Sequence, residues 1–494
     1  MAIFPTSAAP ASRATTVETN GLDVIAESER HGTPRTLFWP WFASNISVLA
    51  IPYGAYVLGF GLSFWQAVGA SVVGIVLSFL LCGFVSLAGK RGSAPTMVLS
   101  RASFGLQGNK LPSLVSWLLT VGWETVLVVL ATLATSTIFE RLGVGGGTVT
   151  KIMALLVIVA VTVTAGIFGF DLIMRLQTVI TVATAALTLA YMALAAPHIQ
   201  WATVSALPGA ALPEVLGAVV LLVTALGLGW VNCAADYSRY LPRGASSRGV
   251  VGWTTLGASA GPVVLVVFGL LLTGSDAELS KAVQVDPIGA LTTILPTWFL
   301  VPFAVVAILG LLGGIVLDIY SSGLSLLSLG VPVTRPVAAT IDGALMTVGA
   351  VVVVFFAKDF VTPFTGFLIT MGVPIAAWCG IFLGDLALRR RDYAQRDLAD
   401  PHGRYGSVRW DSVALMVAGT VVGWGLVVNT YLGWLSWQGF LLGPIGGKEG
   451  TWAYAGLGVL VALAIGFLGS LMLSREAVRR QERATDTSDA TVQA

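Results

Sequence analysis

Twelve apolar stretches, each long enough to cross a bilayer, follow one another along this chain. They lie at about 38–60, 63–88, 111–139, 149–168, 172–195, 213–235, 249–273, 298–328, 336–357, 361–385, 411–433 and 452–473. A membrane helix needs roughly 20 predominantly apolar residues, and within lipid only helices or closed barrels satisfy their own backbone groups. No other feature restricts the fold as much. Charged residues make up 11% of the chain, against about 25% in a soluble protein. The fold class predicted is an all-α membrane protein with 12 transmembrane helices.

An even number of spans puts both termini on one side. If that side is the cytoplasm, 22 of the 27 lysines and arginines lie inside, as the positive-inside rule demands. Only Arg141, Lys151, Lys281, Lys358 and Lys448 fall outside. The predicted layout is a disordered cytoplasmic N-tail over 1–35, a ten-helix core over 36–385, a basic cytoplasmic loop over 386–410, helices 11–12 over 411–473 and a cytoplasmic C-tail over 474–494. The first 30 residues have no apolar centre and read as tail, not as a cleaved signal peptide. The plasma membrane is the expected location. The arginine run 389–391 reads as a stop-transfer anchor, and Trp41, Trp65, Trp201, Trp298, Trp434, Trp437 and Trp452 as an interfacial belt.

Cys82, Cys233 and Cys379 all sit in apolar segments, at neither disulfide nor zinc spacing. His31, His198 and His402 fall in loops or tails. No metal site, cofactor or nucleic-acid partner is expected. Without a P-loop, a catalytic triad or room for a soluble catalytic domain, neither an enzyme nor an ATP-driven pump is predicted.

The segment 111–139 carries the sharpest chemical signal. Glu124 sits near its middle, directly after Trp123. An ionisable group at that depth costs on the order of 3 kcal/mol or more, so it must face a protein interior or a wet cavity. At helical spacing Ser113, Trp117, Thr120, Glu124, Ala131 and Thr135 form a narrow polar seam. An aromatic face beside a buried acid suits a small, flat, polar ligand, which points to a transporter.

Two segments are interrupted. The first holds Asn45, then Pro52 and Gly54; the sixth holds Gly227 and Gly229 before Trp230. Broken helices in matching positions of two halves mark the midplane site of inverted-repeat transporters. Asn45 can bond a substrate or ion, or satisfy loose backbone at the break; Asn232 points elsewhere on its helix. Asp318 shares a face with Gly314, Ser321, Ser322 and Ser325, which suits a second proton site, a sodium ligand or a packing carboxylate. Asp236 and Arg239 end the sixth segment, as an inner-surface ion pair or cap, or as part of an inner gate.

Several motifs resemble the nucleobase:cation symporter-1 family, the purine–cytosine permease group. They are WFASN at 41–45, GSAPTMVLSRASFGLQG at 92–108, Leu111, Pro112, Gly122 and Trp123 in the third segment, GWVNCAADYSRY at 229–240 and DIYSSGLSLLSLG at 318–330. The resemblance implies two inverted five-helix repeats with helices 1 and 6 broken, plus two C-terminal helices. It implies a substrate such as a purine, cytosine, uracil, hydantoin or allantoin, held between two aromatic rings that would here be Trp123 and Trp230. A base stacked on an aromatic ring gains about 1–3 kcal/mol. Asn45, Gly229 and Glu124 would complete the substrate site, and Glu124, Asp318, Asn45 and Gly314 the cation-coupling site. This chain differs from the pattern at two places: Leu127 replaces a frequent amide, and 313–317 in the eighth segment has no hydroxyl or amide. Hard cations need several oxygens, so proton symport is expected over sodium symport. The alternatives are a sodium-coupled carrier of a vitamin-type ring or amino acid, and a channel or nutrient receptor; a channel would need pore-lining rings that this sequence does not offer.

Overall fold

The computed structural model describes residues 22, 24–168 and 170–492, with side chains described apart from 168–178, 335 and 485–492. The N-tail expected over 1–35 lies outside the described residues at 1–21 and 23.

Each apolar stretch becomes helical, the eleventh only as far as Gly425. The first is in two pieces, Phe38–Asn45 and Tyr53–Leu58, and the second to fifth are Phe64–Gly92, Lys110–Arg141, Thr148–Phe168 and Phe170–Ala195. The sixth runs Leu212–Ala225, Gly227–Trp230 and Ala234–Ser238. Ser247–Ser275, Thr297–Ser328, Arg335–Phe356, Val361–Leu388, Trp410–Gly425 and Leu457–Leu473 complete the set. Among the described residues nine helices are long and apolar enough to cross alone. The first span crosses as a pair bent by 68°.

Helix lengths betray an internal repeat. The second and seventh spans each have 29 residues, the third and eighth each 32, the fourth and ninth 21 and 22, the fifth and tenth 26 and 28. The second packs along the seventh and the third along the eighth, so equivalent members of the two halves pair at the centre. The last two spans pack against the tenth.

Loops expected to share the basic side do meet. Arg91 and Arg243 both bond Asp392, at 3.4 and 3.0 Å, which ties the ends of the second and sixth spans to the loop after the tenth. Residues 24–35, read from the sequence as tail, are packed into this face. Arg30 is buried and donates to the carbonyls of Leu241 (2.8 Å) and Lys90. Hydrogen bonds from Arg243, then Arg30, hold the Glu27 carboxyl below its ordinary range. The C-tail also departs from expectation: Arg475–Val492 is helical, with Val478 and Gln481 buried. Gln481 Oε1 accepts from Arg389 Nη2 at 2.7 Å, so a packed face replaces a solvated tail.

Arg389 is more than a stop-transfer charge. Its guanidinium and that of Arg409 close on Asp385 at 2.5 and 2.9 Å, all three side chains being at most 7% exposed. Tyr393 and Tyr405 stack on Arg389, each 5.4 Å from its guanidinium carbon. Removing one partner of a buried ion network leaves uncompensated charge, at a cost of about 3–5 kcal/mol. Asp385→Ala is therefore expected to lower the detergent-solubilised thermal midpoint sharply; a midpoint equal to wild type would show the network to be dispensable.

Trp41 is a second correction. Only 1% exposed, it is not an interfacial belt residue. It lies one turn before Asn45 on the inward face of the first half-span, and its ring sits 5.4 Å from Tyr237 and 6.4 Å from Trp230. Trp65, Trp201, Trp298, Trp434 and Trp437 are exposed, as a belt requires.

Candidate functional site

Helix breaks build the site. In the first span the helix stops at Asn45, and Ser47 begins a short tight turn by accepting from Leu49 N at 3.3 Å. Asn45 Nδ2 donates back to Trp41 O at 2.9 Å, so the amide satisfies loose backbone at the break. In the sixth span Leu226 leaves helical geometry, at φ −112° and ψ −93°. Ser78 Oγ accepts from Gly227 N (3.1 Å) and Cys82 Sγ donates to Gly227 O (3.2 Å), which replaces the bonds lost at the break. Irregular backbone is thus held by protein at membrane depth.

Between the two breaks lies a cavity of about 70 Å³. Trp123, Gly229, Trp230, Asn45, Gly314 and Asp318 all line it. Gly229 is required there: a Cβ would stand 2.9 Å from Trp123 Nε1. That indole N–H is buried and has no partner among the described residues, so its donor is available to a ligand. Leu127 fills the side facing Gly314, where a Cβ would meet its Cδ1 at 3.0 Å. Asp318, 4% exposed, adds a carboxylate to a wall whose other polar side chains are Ser44, Asn45 and Ser47 on the first span and the ring groups of Tyr53, Trp123 and Trp230.

Glu124 does not line this cavity. Adjacent residues on a helix project about 100° apart, so packing Trp123 against Gly229 turns Glu124 toward the eighth and ninth spans. It is 0% exposed. Ser322 lies beside it, with Asp342 and Asp318 close enough to interact. Trp117 of the polar seam faces the same way, its Nε1 donating to Asp342 Oδ1 at 2.7 Å, and beside the seam Ser116 bonds Ser325 at 2.8 Å. Ser322 Oγ donates to Asp342 Oδ2 at 2.8 Å. Asn232 joins through Ser116 Oγ at 2.9 Å.

Sequence reasoning missed Asp342. Its signal was the one that singled out Glu124, a lone acid in the apolar stretch 336–357. Phe364 was missed as well. Its ring is 5.8 Å from Trp123 and 6.4 Å from Tyr53, and it also lines a wider opening of about 650 Å³ with Tyr56, Phe60, Glu214 and Thr224. Its ring thus stands between Trp123 and Tyr53, which line the central cavity, and the wider opening.

Asp236 and Arg239 form no ion pair with each other. Asp236 Oδ1 accepts from Thr96 N (2.7 Å) and Oγ1 (2.8 Å), capping the loop between the second and third spans. Arg239 Nη2 donates to Tyr320 Oη at 3.1 Å, linking the sixth span to the eighth. Cys82, Cys233 and Cys379 are free and buried, and no metal-binding cluster occurs among the described residues.

Two broken helices enclosing a midplane cavity, within paired five-helix halves, define a secondary transporter of the inverted-repeat class. The comparisons narrow the class. The family model described as "Permease for cytosine/purines, uracil, thiamine, allantoin" matches residues 24–441, and the chain belongs to that family, the nucleobase:cation symporter-1 group. YxlA of Bacillus subtilis (strain 168) is 26% identical over 407 residues, covering 80% of this chain and 84% of that protein. The purine-cytosine permease FCY2 of Saccharomyces cerevisiae is 23% identical over 485 residues, covering 92% and 87%. Among solved structures, Mhp1, a nucleobase-cation-symport-1 transporter closed on bromovinylhydantoin, superposes with a TM-score of 0.67 at 20% identity, covering 94% of this chain and 96% of Mhp1. Its inward-facing form gives 0.68 at 18% identity, covering 95% and 99%. The fold is shared with these transporters, and the family is one of permeases, not enzymes.

Proposed function

We propose that this protein imports a nucleobase or a related flat heterocycle, of the purine, cytosine, uracil or hydantoin/allantoin kind, across the plasma membrane by proton symport. The observation that carries the reading is the meeting of Trp123 and Trp230 in one buried cavity between two helix breaks. A planar ring between the indoles would gain stacking on both faces. Its edge would meet Asp318 and Asn45, since donors and acceptors left unmatched on burial are costly. FCY2 is named for purine and cytosine, and Mhp1 is seen with a hydantoin; both ligand types are flat.

Proton coupling is favoured by what the eighth span offers. Its cavity-facing residues, Gly310, Gly314 and Asp318, supply one carboxylate and no hydroxyl, a poor cage for a hard cation that wants six or more oxygens. Behind the wall, Glu124, Ser322 and Asp342 form a buried acid cluster suited to taking up and passing on a proton. Asp318 touches both the cavity and the cluster's neighbourhood, so substrate and proton would be felt together. Asn45 and Gly314 would serve at the substrate edge of this coupling path. Phe364 on the outer side, and Asp236 with the Arg239–Tyr320 link on the inner, would close alternately as the halves rock.

A thermal-shift panel of nucleobases, hydantoins, pyridoxine and thiamine tests the ligand, and uptake with the pH gradient collapsed but sodium retained tests the ion. Stabilisation by at least one nucleobase or hydantoin and loss of accumulation are expected. A shift with pyridoxine or thiamine alone would replace the ligand class, and undiminished accumulation would reject proton drive.

A further inference from the structure

The C-terminal helix carries a feature that transport does not use. It turns 56° from the twelfth span at Ser474. Just before the turn Met472 and Leu473 are 76% and 60% exposed, which marks where lipid-facing surface ends. Arg475, Arg479 and Arg483 then follow at intervals of four, one stripe of the helix surface. Opposite them stand Arg390 and Arg391 at the end of the tenth span. The five guanidinium groups surround a concave groove of about 510 Å³, whose floor is apolar through Leu388 and Leu471.

The groove is built, not a chance of exposed charge. On its other face the helix is pinned: Val478 and Gln481 are buried, and Gln481 bonds Arg389. Among the described residues the groove's one acid, Glu482, has its Oε1 taken by the backbone N–H groups of Arg390 and Arg391, at 2.7 and 2.8 Å. Arg479 meets Glu476 at 3.0 Å in a pair that is 49% and 72% exposed, and water and salt weaken such a surface pair. Positive charge therefore dominates a pocket at the membrane boundary.

We infer that this groove binds the phosphate headgroup of an anionic phospholipid, with the acyl chains lying along the exposed ends of the tenth and twelfth spans. A free phosphate would share the headgroup chemistry. The apolar floor and the exposed Met472 and Leu473 beside it favour the lipid. Basic pockets between spans on the cytoplasmic side bind such headgroups, and by the charge rule this is the cytoplasmic face.

The test uses the full chain purified in a neutral detergent. Phosphatidylglycerol is titrated in and bound lipid counted by native mass spectrometry, with phosphatidylcholine and inorganic phosphate as separate arms. One tightly held phosphatidylglycerol is expected, with phosphatidylcholine bound far more weakly and millimolar phosphate failing to displace it. R475Q/R479Q/R483Q is expected to weaken that binding on the order of a hundredfold, the sum of three near-surface arginines. Equal binding by the variant, or displacement by inorganic phosphate, would overturn the assignment. Should the triple variant lose its wild-type melting profile, R479Q alone, with an expected loss of about fivefold, decides the question in the same way.

Discussion

Truncating both indoles, Trp123→Ala with Trp230→Ala, is expected to abolish substrate binding, and each single change to weaken it by about 5- to 150-fold, the range of one stacked aromatic face. Both rings line the same cavity, so each would contribute a face. They are not equivalent in packing. Trp123 also rests edge-on against Phe364 and Phe367, at 5.8 and 6.2 Å, so its loss loosens the outer wall as well. Trp230 meets Trp41 at 6.4 Å, and Trp230→Phe, which keeps a flat ring, should recover much of the affinity. Fluorescence titration of the purified variants with the ligand found in the thermal-shift panel is the measurement. Wild-type affinity in either alanine variant would remove that ring from the site.

Glu124→Gln is expected to abolish accumulation against a gradient while leaving counterflow exchange intact. The change keeps the size of the side chain and removes its ability to carry charge. One proton driven by about 100 mV supplies about 2.3 kcal/mol, or roughly fiftyfold accumulation, and all of it would be lost. Glu124 stands outside the substrate cavity, so binding affinity should change little. Trp123→Ala and Trp230→Ala would instead weaken binding and counterflow together, which separates the two roles in one assay. Full accumulation by the glutamine variant would move the coupling site elsewhere, with Asp318 and Asp342 the next groups to test.

Much of this architecture is legible in the chain. Span positions follow from hydropathy because lipid allows no unsatisfied backbone, and the breaks at Asn45 and at Gly227 were visible as polar, Pro or Gly interruptions. Rotation of each helix about its axis was not. Of the seam from Ser113 to Thr135, Trp117 and Glu124 face the eighth and ninth spans and not the cavity, as the Trp117–Asp342 bond and the nearness of Ser322 to Glu124 show. Trp41 was misassigned for the same reason: distance from a span's end says nothing about which way the ring points.

Composition and periodicity determined the class of this protein, its spans and the charge bias of its loops, because burial in lipid acts on each segment by itself. Only tertiary packing decided that Trp123 and Trp230 share a cavity while Glu124 lies behind its wall with Asp342, since one residue along a helix is about 100° around it and the neighbours choose the angle. Gly229 sets that angle: with no side chain of its own, it lets the Trp123 ring come to where a Cβ would be 2.9 Å away.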